Sequence, residues 1–340
     1  MYVSLRDTFQ LASKLSFKRI KNAWQIYRSF QKSRISKTAR IIGLPMSISV
    51  EPTTACNLRC PECPSGLRSF TRPTGKLSSE VFNKLIDEVS ETLFYLIFYF
   101  QGEPYLHPEF LQMVAKANEK NIYTATSTNA HFLDEENAKK TVLSGLDRMI
   151  ISIDGATQET YEAYRKTGKL DKVIEGTKNI LYWRKKLKSS TPAVIWQFLV
   201  VKPNEHEIET IDRLGKELGV DKVAFKTAQI YDFANGNPLI PTNEKYSRYR
   251  KTGENTYELK HKLFDECWKM WHSCVVTWDG KVVPCCFDKD AHYVLGSIQK
   301  VSFSAVWNSN DYNKFRNQLL NARSEIEMCK NCTEGGKVWA

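Results

Sequence analysis

The 340-residue chain has nine cysteines, and they fall into two groups. Cys56, Cys60 and Cys63 form a C-x3-C-x2-C run. After a long gap come Cys267, Cys274, Cys285, Cys286, Cys329 and Cys332. Incidental core cysteines would scatter. The N-terminus lacks a continuous apolar leader and a small-residue cleavage site, so the sequence predicts a cytoplasmic protein. In a reducing compartment, clustered cysteines read as metal or redox groups rather than disulfides. Three neighbouring thiolates can wrap one cube of iron and sulfide. Such cubes usually take four cysteines, so a local set of three leaves one iron with an open position. That opening separates catalytic from closed metal sites. A zinc site would need a fourth Cys or His at finger spacing, and none follows Cys63.

The elements that must position this run alternate in type. Strands are predicted at 46–51, 93–100, 123–128, 148–153, 193–201 and 222–226. Between them lie helices at 78–89, 108–119, 135–143, within 157–186, and at 207–218. Alternation of this kind builds βαβ units and a parallel sheet. Six units are too few for an eightfold barrel, so the expected fold is α/β, a partial (β/α)6 TIM-like barrel. Chemistry in such folds lies in the loops after the strand C-termini, and Cys56 falls just after the first strand. Beyond Asn235-Gly236-Asn237-Pro238 the alternation stops. Three parts are expected: an N-terminal helical segment (1–45), the barrel (46–240) and a small cysteine-rich module (241–340).

In this setting the C-x3-C-x2-C run resembles the radical S-adenosylmethionine superfamily, and the likeness extends over residues 46–228. The resemblance implies a [4Fe-4S] cluster whose open iron holds the amino and carboxylate groups of S-adenosylmethionine. It also implies reductive cleavage to a 5′-deoxyadenosyl radical that abstracts hydrogen from a substrate. Gln101-Gly102-Glu103-Pro104 resembles the family's Gly-Gly-Glu-Pro, implying close backbone approach at Gly102 and a Glu103 contact to the methionine amino group. Ser127-Thr128-Asn129 resembles its Ser-Thr-Asn-Gly, with Ala130 in place of glycine. Ser152 and Asp154 end the fourth strand, and Arg165 follows. In related maturases the matching Ser and Arg contact ribose and carboxylate, and a guanidinium suits the latter. Gly102, Glu103, Ser127, Asn129, Ser152, Asp154 and Arg165 are therefore the implied cofactor-binding set. Glu62 departs from the family, where an aromatic often precedes the last cysteine.

Cys267, Gly280, Cys285 and the closing Cys329-Lys-Asn-Cys332 resemble the SPASM extension in its shortened, Twitch-like form. The resemblance implies one auxiliary [4Fe-4S] cluster on Cys267, Cys285, Cys329 and Cys332, with Cys274 and Cys286 competing as ligands. A structural zinc is the alternative there. Cys286 stands where some sulfatase-maturing relatives carry a catalytic Asp, which makes Asp288, the nearest carboxylate, the candidate proton acceptor. The expected enzyme is a radical oxidoreductase or maturase. Its implied substrate is a small hydroxylated molecule, as for the Twitch-bearing dehydrogenase of aminoglycoside biosynthesis, with a peptide or protein side chain as the alternative. An electron donor such as flavodoxin or ferredoxin is the implied partner.

The net charge of +11 is unevenly placed. Residues 1–40 carry ten Lys or Arg against Asp7, a net of +9, which leaves +2 for the other 300. So balanced a body offers nucleic acid no basic groove. This argues against the other class considered, a zinc-stabilised nucleic-acid-binding module. No run approaches the roughly 18 apolar residues of a membrane-spanning helix. Residues 3–38 read as one basic amphipathic helix, with Leu5, Phe9, Ala12, Leu15, Ile20, Ala23, Tyr27 and Phe30 at helical spacing. Packing on the body is expected. Peripheral membrane contact through residues 1–40 is the alternative.

Overall fold

The computed structural model describes residues 5–333. Two helices open the chain, α1 (Leu5–Ser13) and α2 (Phe17–Ser36), where the sequence predicts one; Val3 and Ser4 lie outside the described residues. The break has a local cause. Ser16 is extended and accepts a hydrogen bond from the Arg19 amide at 3.3 Å, so it caps α2 instead of continuing α1.

The barrel then runs β1 (Ser47–Val50), α3 (Pro64–Leu67), α4 (Ser79–Val89), β2 (Tyr95–Ile97), α5 (Phe110–Glu119), β3 (Tyr123–Thr128), α6 (Glu135–Leu143) and β4 (Arg148–Ser152). It continues through α7 (Gln158–Tyr164), α8 (Leu170–Lys186), β5 (Ala193–Val200), α9 (Ile208–Leu218) and β6 (Lys222–Thr227). The helix predicted within 157–186 divides in two, because Thr167 adopts the left-handed region at φ 67° between α7 and α8. A hairpin of β7 (Tyr249–Lys251) and β8 (Tyr257–Leu259) follows. The C-terminal region supplies α10 (Lys269–His272), β9 (Ser273–Val276), β10 (Lys281–Val283), β11 (Gly296–Ser297), α11 (Phe303–Trp307), α12 (Asn310–Ala322) and α13 (Glu327–Lys330).

Strands β1 to β6 pair in sequence order and all in parallel, as the alternation predicts. The sheet does not stop at β1. Strand β9 pairs with it in parallel, from Ser47 opposite Ser273 to Val50 opposite Val276, and β10 and β11 extend the sheet antiparallel. The full order is β11-β10-β9-β1-β2-β3-β4-β5-β6.

Strand alternation sorts the faces. Phe98 meets Phe82 of α4 and Phe110 of α5, while the Trp196 indole donates to Thr177 of α8 at 3.0 Å. These side chains form the buried outer layer. Their neighbours Tyr95, Tyr99, Ser127, Arg148, Ser152 and Gln197 therefore turn to the inner face.

The N-terminal helices close the end where the strands begin. The buried Asp7 carboxylate pairs with Arg148 and the Tyr123 hydroxyl. The buried Arg19 guanidinium collects the carbonyls of Ser90 (2.9 Å), Lys120 (3.0 Å) and Asn121 (2.5 Å). Ser90 and Lys120 cap the C-termini of α4 and α5, so one cation satisfies the orphan carbonyls and negative dipole ends of two helices. Replacing Arg19 by Ala should destabilise the chain by roughly 2–4 kcal/mol in chemical denaturation, because buried carbonyls lose a charged donor. Replacement of the exposed Lys21 should stay within about 0.5 kcal/mol. Equal effects would contradict this docking.

Candidate active site

The C-x3-C-x2-C run leaves β1 at the C-terminal mouth of the strands. Its loop is held by the Ser65 hydroxyl together with backbone hydrogen bonds. Ser65 donates to the Thr54 carbonyl at 3.1 Å and accepts from the Gly102 amide at 2.9 Å, and the Glu103 amide donates to the Ala55 carbonyl at 2.7 Å. Two glycines make the approach feasible. A Cβ on Gly102, whose φ is +75°, would sit 2.1 Å from the Thr53 carbonyl oxygen. A Cβ on Gly66 would sit 2.5 Å from both the N and O of Cys60.

Polar groups of the next strands reach the sulfurs. Asn129 Nδ2 lies 3.9 Å from Cys56 Sγ and 2.8 Å from Asn57 Oδ1. Gln101 Oε1 is 3.6 Å from Cys63 Sγ, and Arg165 Nη1 is 3.7 Å from Cys60 Sγ. Arg165 is held through Nε by Asp154 at 2.5 Å, and Asp154 accepts the Leu199 amide at 2.6 Å. Glu103 is buried, with Thr128 Oγ1 (2.7 Å) and the Tyr105 amide (3.3 Å) on one oxygen and the Asn129 amide (2.8 Å) on the other. Burial pushes its carboxyl up to about 7 against the pull of those donors. Ser127, one residue before the end of β3, and Ser152, the last of β4, lie on the inner face, Ser152 opposite Gln197. The structure thus gathers the sequence-predicted set around one mouth. Thr128, Ser65, Gly66 and Asn57 are additions. Pro64-Ser65-Gly66, small residues directly after the last cysteine, were the available signal.

A separate apolar cluster encloses this mouth. Leu58, Cys60, Tyr164, Val201, Ala228, Ile230, Ile240 and Tyr249 are buried together, with Cys56, Cys63 and Phe233 packed against them. Glu62 helps to bring the 231 loop over, accepting the Tyr231 amide at 2.9 Å.

Four cysteines of the second group share one cavity. Cys267, Cys285, Cys329 and Cys332 line one small cavity with Met270, Leu319, Arg323 and Met328. Cys274 lies elsewhere, buried on β9, in register with Ile48 and near Tyr312 and Arg316. Cys286 is exposed, 3.6 Å from Lys269 Nζ and within electrostatic reach of Tyr99 and Lys289, on the barrel side of its neighbour. Asp288 is buried, and its oxygens accept the His292 and Tyr293 amides at 2.8 Å each. Those bonds hold the carboxylate to its own turn and use one acceptor position on each oxygen.

The donor sets fit iron–sulfur cubes. Burial pushes the Cys56 and Cys329 thiols each up to about 11 and raises those of Cys60 and Cys267. Thiols so placed lose their protons when a metal supplies the compensating charge. Among the described residues no three His, Cys, Asp or Glu side chains are gathered for a single metal ion. A cube holds its thiolates further apart.

Fold and site together define an iron–sulfur enzyme with its cysteine loop at the mouth of a partial barrel. Two family models match the chain: the radical SAM superfamily over residues 50–215, and SPASM, an iron–sulfur cluster-binding domain, over residues 267–333. The chain belongs to the radical SAM superfamily and carries a SPASM domain; its cofactors are a [4Fe-4S] cluster, S-adenosylmethionine and auxiliary iron–sulfur chemistry. It is similar to the tungsten-containing aldehyde ferredoxin oxidoreductase cofactor-modifying protein of Pyrococcus furiosus, 24% identical over 321 residues, which cover 84% of this chain and 86% of that one. It is 22% identical to the PqqA peptide cyclase of Gluconobacter oxydans over 315 residues, covering 87% and 84%. Among solved structures, BtrN in complex with AdoMet and 2-DOIA has the same fold, with a TM-score of 0.53, 18% identity and coverage of 88% and 97%.

Gly66→Ala should disturb Cys60 directly. Iron in the anaerobically reconstituted protein should fall by about four atoms per chain, the content of one cube. Undiminished iron would show that the close approach is dispensable.

Proposed function

We propose that this chain oxidises a small hydroxylated molecule by hydrogen abstraction. In this reading Cys56, Cys60 and Cys63 hold the [4Fe-4S] cluster that binds S-adenosylmethionine. Cys267, Cys285, Cys329 and Cys332 hold one auxiliary cluster. The observation that carries the reading is the position of the first three cysteines. They lie at the C-terminal mouth of the strands, beside the Asp154–Arg165 pair and above an inner face of polar side chains. When bound, these groups supply the 5′-deoxyadenosyl radical and an acceptor for the electron left on the substrate.

The chain's own residues bind and orient. A carboxylate offers about four acceptor positions, and the donors on Glu103 occupy three, leaving one for an ammonium group. Asp154 fixes Arg165 through Nε, so its outer nitrogens remain directed past Cys60 toward a carboxylate ligand. Ser127, Asn129 and Ser152 form the rim on the strand ends, suited to ribose hydroxyls. The apolar cluster of Leu58, Ile230 and Tyr249 limits water at the mouth. Below it, Tyr99 and Gln197 of the inner face offer hydrogen bonds to a hydroxylated substrate. Such an oxidation would remove one hydrogen atom from the substrate to the radical, one electron to the auxiliary cluster and one proton to a base, a role that falls to Asp288 as the carboxylate nearest Cys286. An external donor such as flavodoxin or ferredoxin supplies the electron that cleaves S-adenosylmethionine.

The polar inner face favours a small substrate, and BtrN, which shares the fold, is described with 2-DOIA. A peptide side chain is the second reading, favoured by the relative named PqqA peptide cyclase.

Replacing Cys56, Cys60 and Cys63 together by Ala should abolish 5′-deoxyadenosine formation under reducing conditions. Replacing Cys267, Cys285, Cys329 and Cys332 should leave that formation in place while substrate turnover stops. Cleavage by the triple variant, or full iron retention by the quadruple one, would overturn the assignment.

A further inference from the structure

Helix α2 has the reverse of the usual amphipathic arrangement. Its buried side is Arg19, Asn22, Ile26, Ser29, Phe30 and Ser33. The polar members are used up in docking. Asn22 bonds both the amide (2.9 Å) and the carbonyl (2.7 Å) of Leu44, and Ser33 bonds both those of Arg40 at 2.8 and 3.0 Å. The outward side carries the larger share of apolar surface. Phe17 and Ile35 are each 81% exposed, Trp24 58% and Ile20 53%. Lys21, Arg28 and Lys32 are exposed among them.

At about 100° per residue, Phe17, Trp24, Arg28 and Ile35 fall within about 40° of one line along the helix. The preceding segment adds Phe9, 73% exposed, and Leu15. A helix that only caps a barrel would present polar residues here. Single exposed apolar side chains need no explanation, but an aligned row of them does.

The charge indicates the occupant. Of the ten cations in residues 1–40, Lys14 and Arg19 are buried and Lys18 and Arg34 pair with Glu91 and Glu266, which leaves Lys21, Arg28, Lys32, Lys37 and Arg40 exposed along and just after α2. Lysine is depleted from the cores of protein interfaces. Alternating cations with Phe, Trp and Ile instead suits the headgroup layer of a bilayer, where the rings and branched chains enter and the long cations stay at the surface.

We propose that the outer face of α2, with Phe9 and Leu15, docks this protein on an anionic membrane surface, lying flat. No helix among the described residues is long and apolar enough to cross a membrane, so the contact is peripheral. The orientation is compatible with activity. Arg19 fastens α2 to the loops that enter β2 and β3, the end of the barrel opposite the cysteine mouth. A docked molecule keeps its mouth open to the aqueous phase.

Vesicle flotation with the full chain tests this. The protein should float with vesicles of phosphatidylcholine and phosphatidylglycerol but not with phosphatidylcholine alone, and high salt should release it. K21Q/R28Q/K32Q should lower the partition coefficient about a hundredfold, since each cation near an anionic surface contributes about fivefold. F17S/W24S/I35S should weaken it similarly, and both variants should keep the wild-type melting transition because all six side chains are exposed. No flotation at low salt would overturn the proposal, as would binding indifferent to the apolar substitutions. So would a vesicle-independent dimer that the apolar substitutions dissociate, which would assign the face to a second copy of the chain.

Discussion

Glu51, one residue past β1, is buried, and its carboxylate joins the two cysteine-bearing parts of the molecule. Arg72 reaches it with two hydrogen bonds of 2.5 and 2.9 Å, and the Trp278 amide adds a third at 3.2 Å. Arg72 lies on the segment that returns from the C-x3-C-x2-C loop, and Trp278 on the turn between β9 and β10. Breaking such a buried pair from one side typically costs about 3–5 kcal/mol, because the remaining charge loses its partner. Around it the Glu51 amide bonds the Val276 carbonyl at 2.9 Å, and the Trp278 indole donates to the Pro73 carbonyl at 3.1 Å. Asp290 accepts from the Thr71 amide. These contacts fix the first cysteine loop against the C-terminal strands.

That constraint explains why one sheet serves both cysteine groups. With β9 in parallel register beside β1, the turn after β10 delivers Cys285 to the quartet's cavity and Cys286 toward the barrel. The opposite end of the barrel is closed by the Asp7–Arg148 pair and by Arg19 on the helix ends. The cysteine mouth and the end covered by the N-terminal helices are thereby separated along the strand direction.

Much of this was legible in the sequence because it rests on local spacing. The C-x3-C-x2-C run, the Gly102-Glu103-Pro104 turn and the alternation of six strands and their helices are short-range patterns, and the structure forms them. What was not legible depends on partners far apart in the chain. Glu51 reads as the last residue of a strand until Trp278 is seen above it. Arg19 reads as one of ten N-terminal cations, yet it is the one that caps two helices. Spacing alone left Cys274 and Cys286 as competing ligands; strand register buries the first on β9, and the second stands exposed beside Cys285, its thiol hydrogen-bonded to that neighbour's. The break at Ser16 was hidden because the apolar period continues through it, while a single side-chain cap ends the helix.

The central claim is that two cubes of different character share this sheet, one open to S-adenosylmethionine and one closed by four cysteines. Low-temperature electron paramagnetic resonance of the reduced, anaerobically reconstituted wild-type protein tests it most directly. With about eight irons per chain, the account predicts two overlapping cluster signals. S-adenosylmethionine should shift the g-values of one and leave the other unchanged. A single signal, or two signals both indifferent to S-adenosylmethionine, would contradict it.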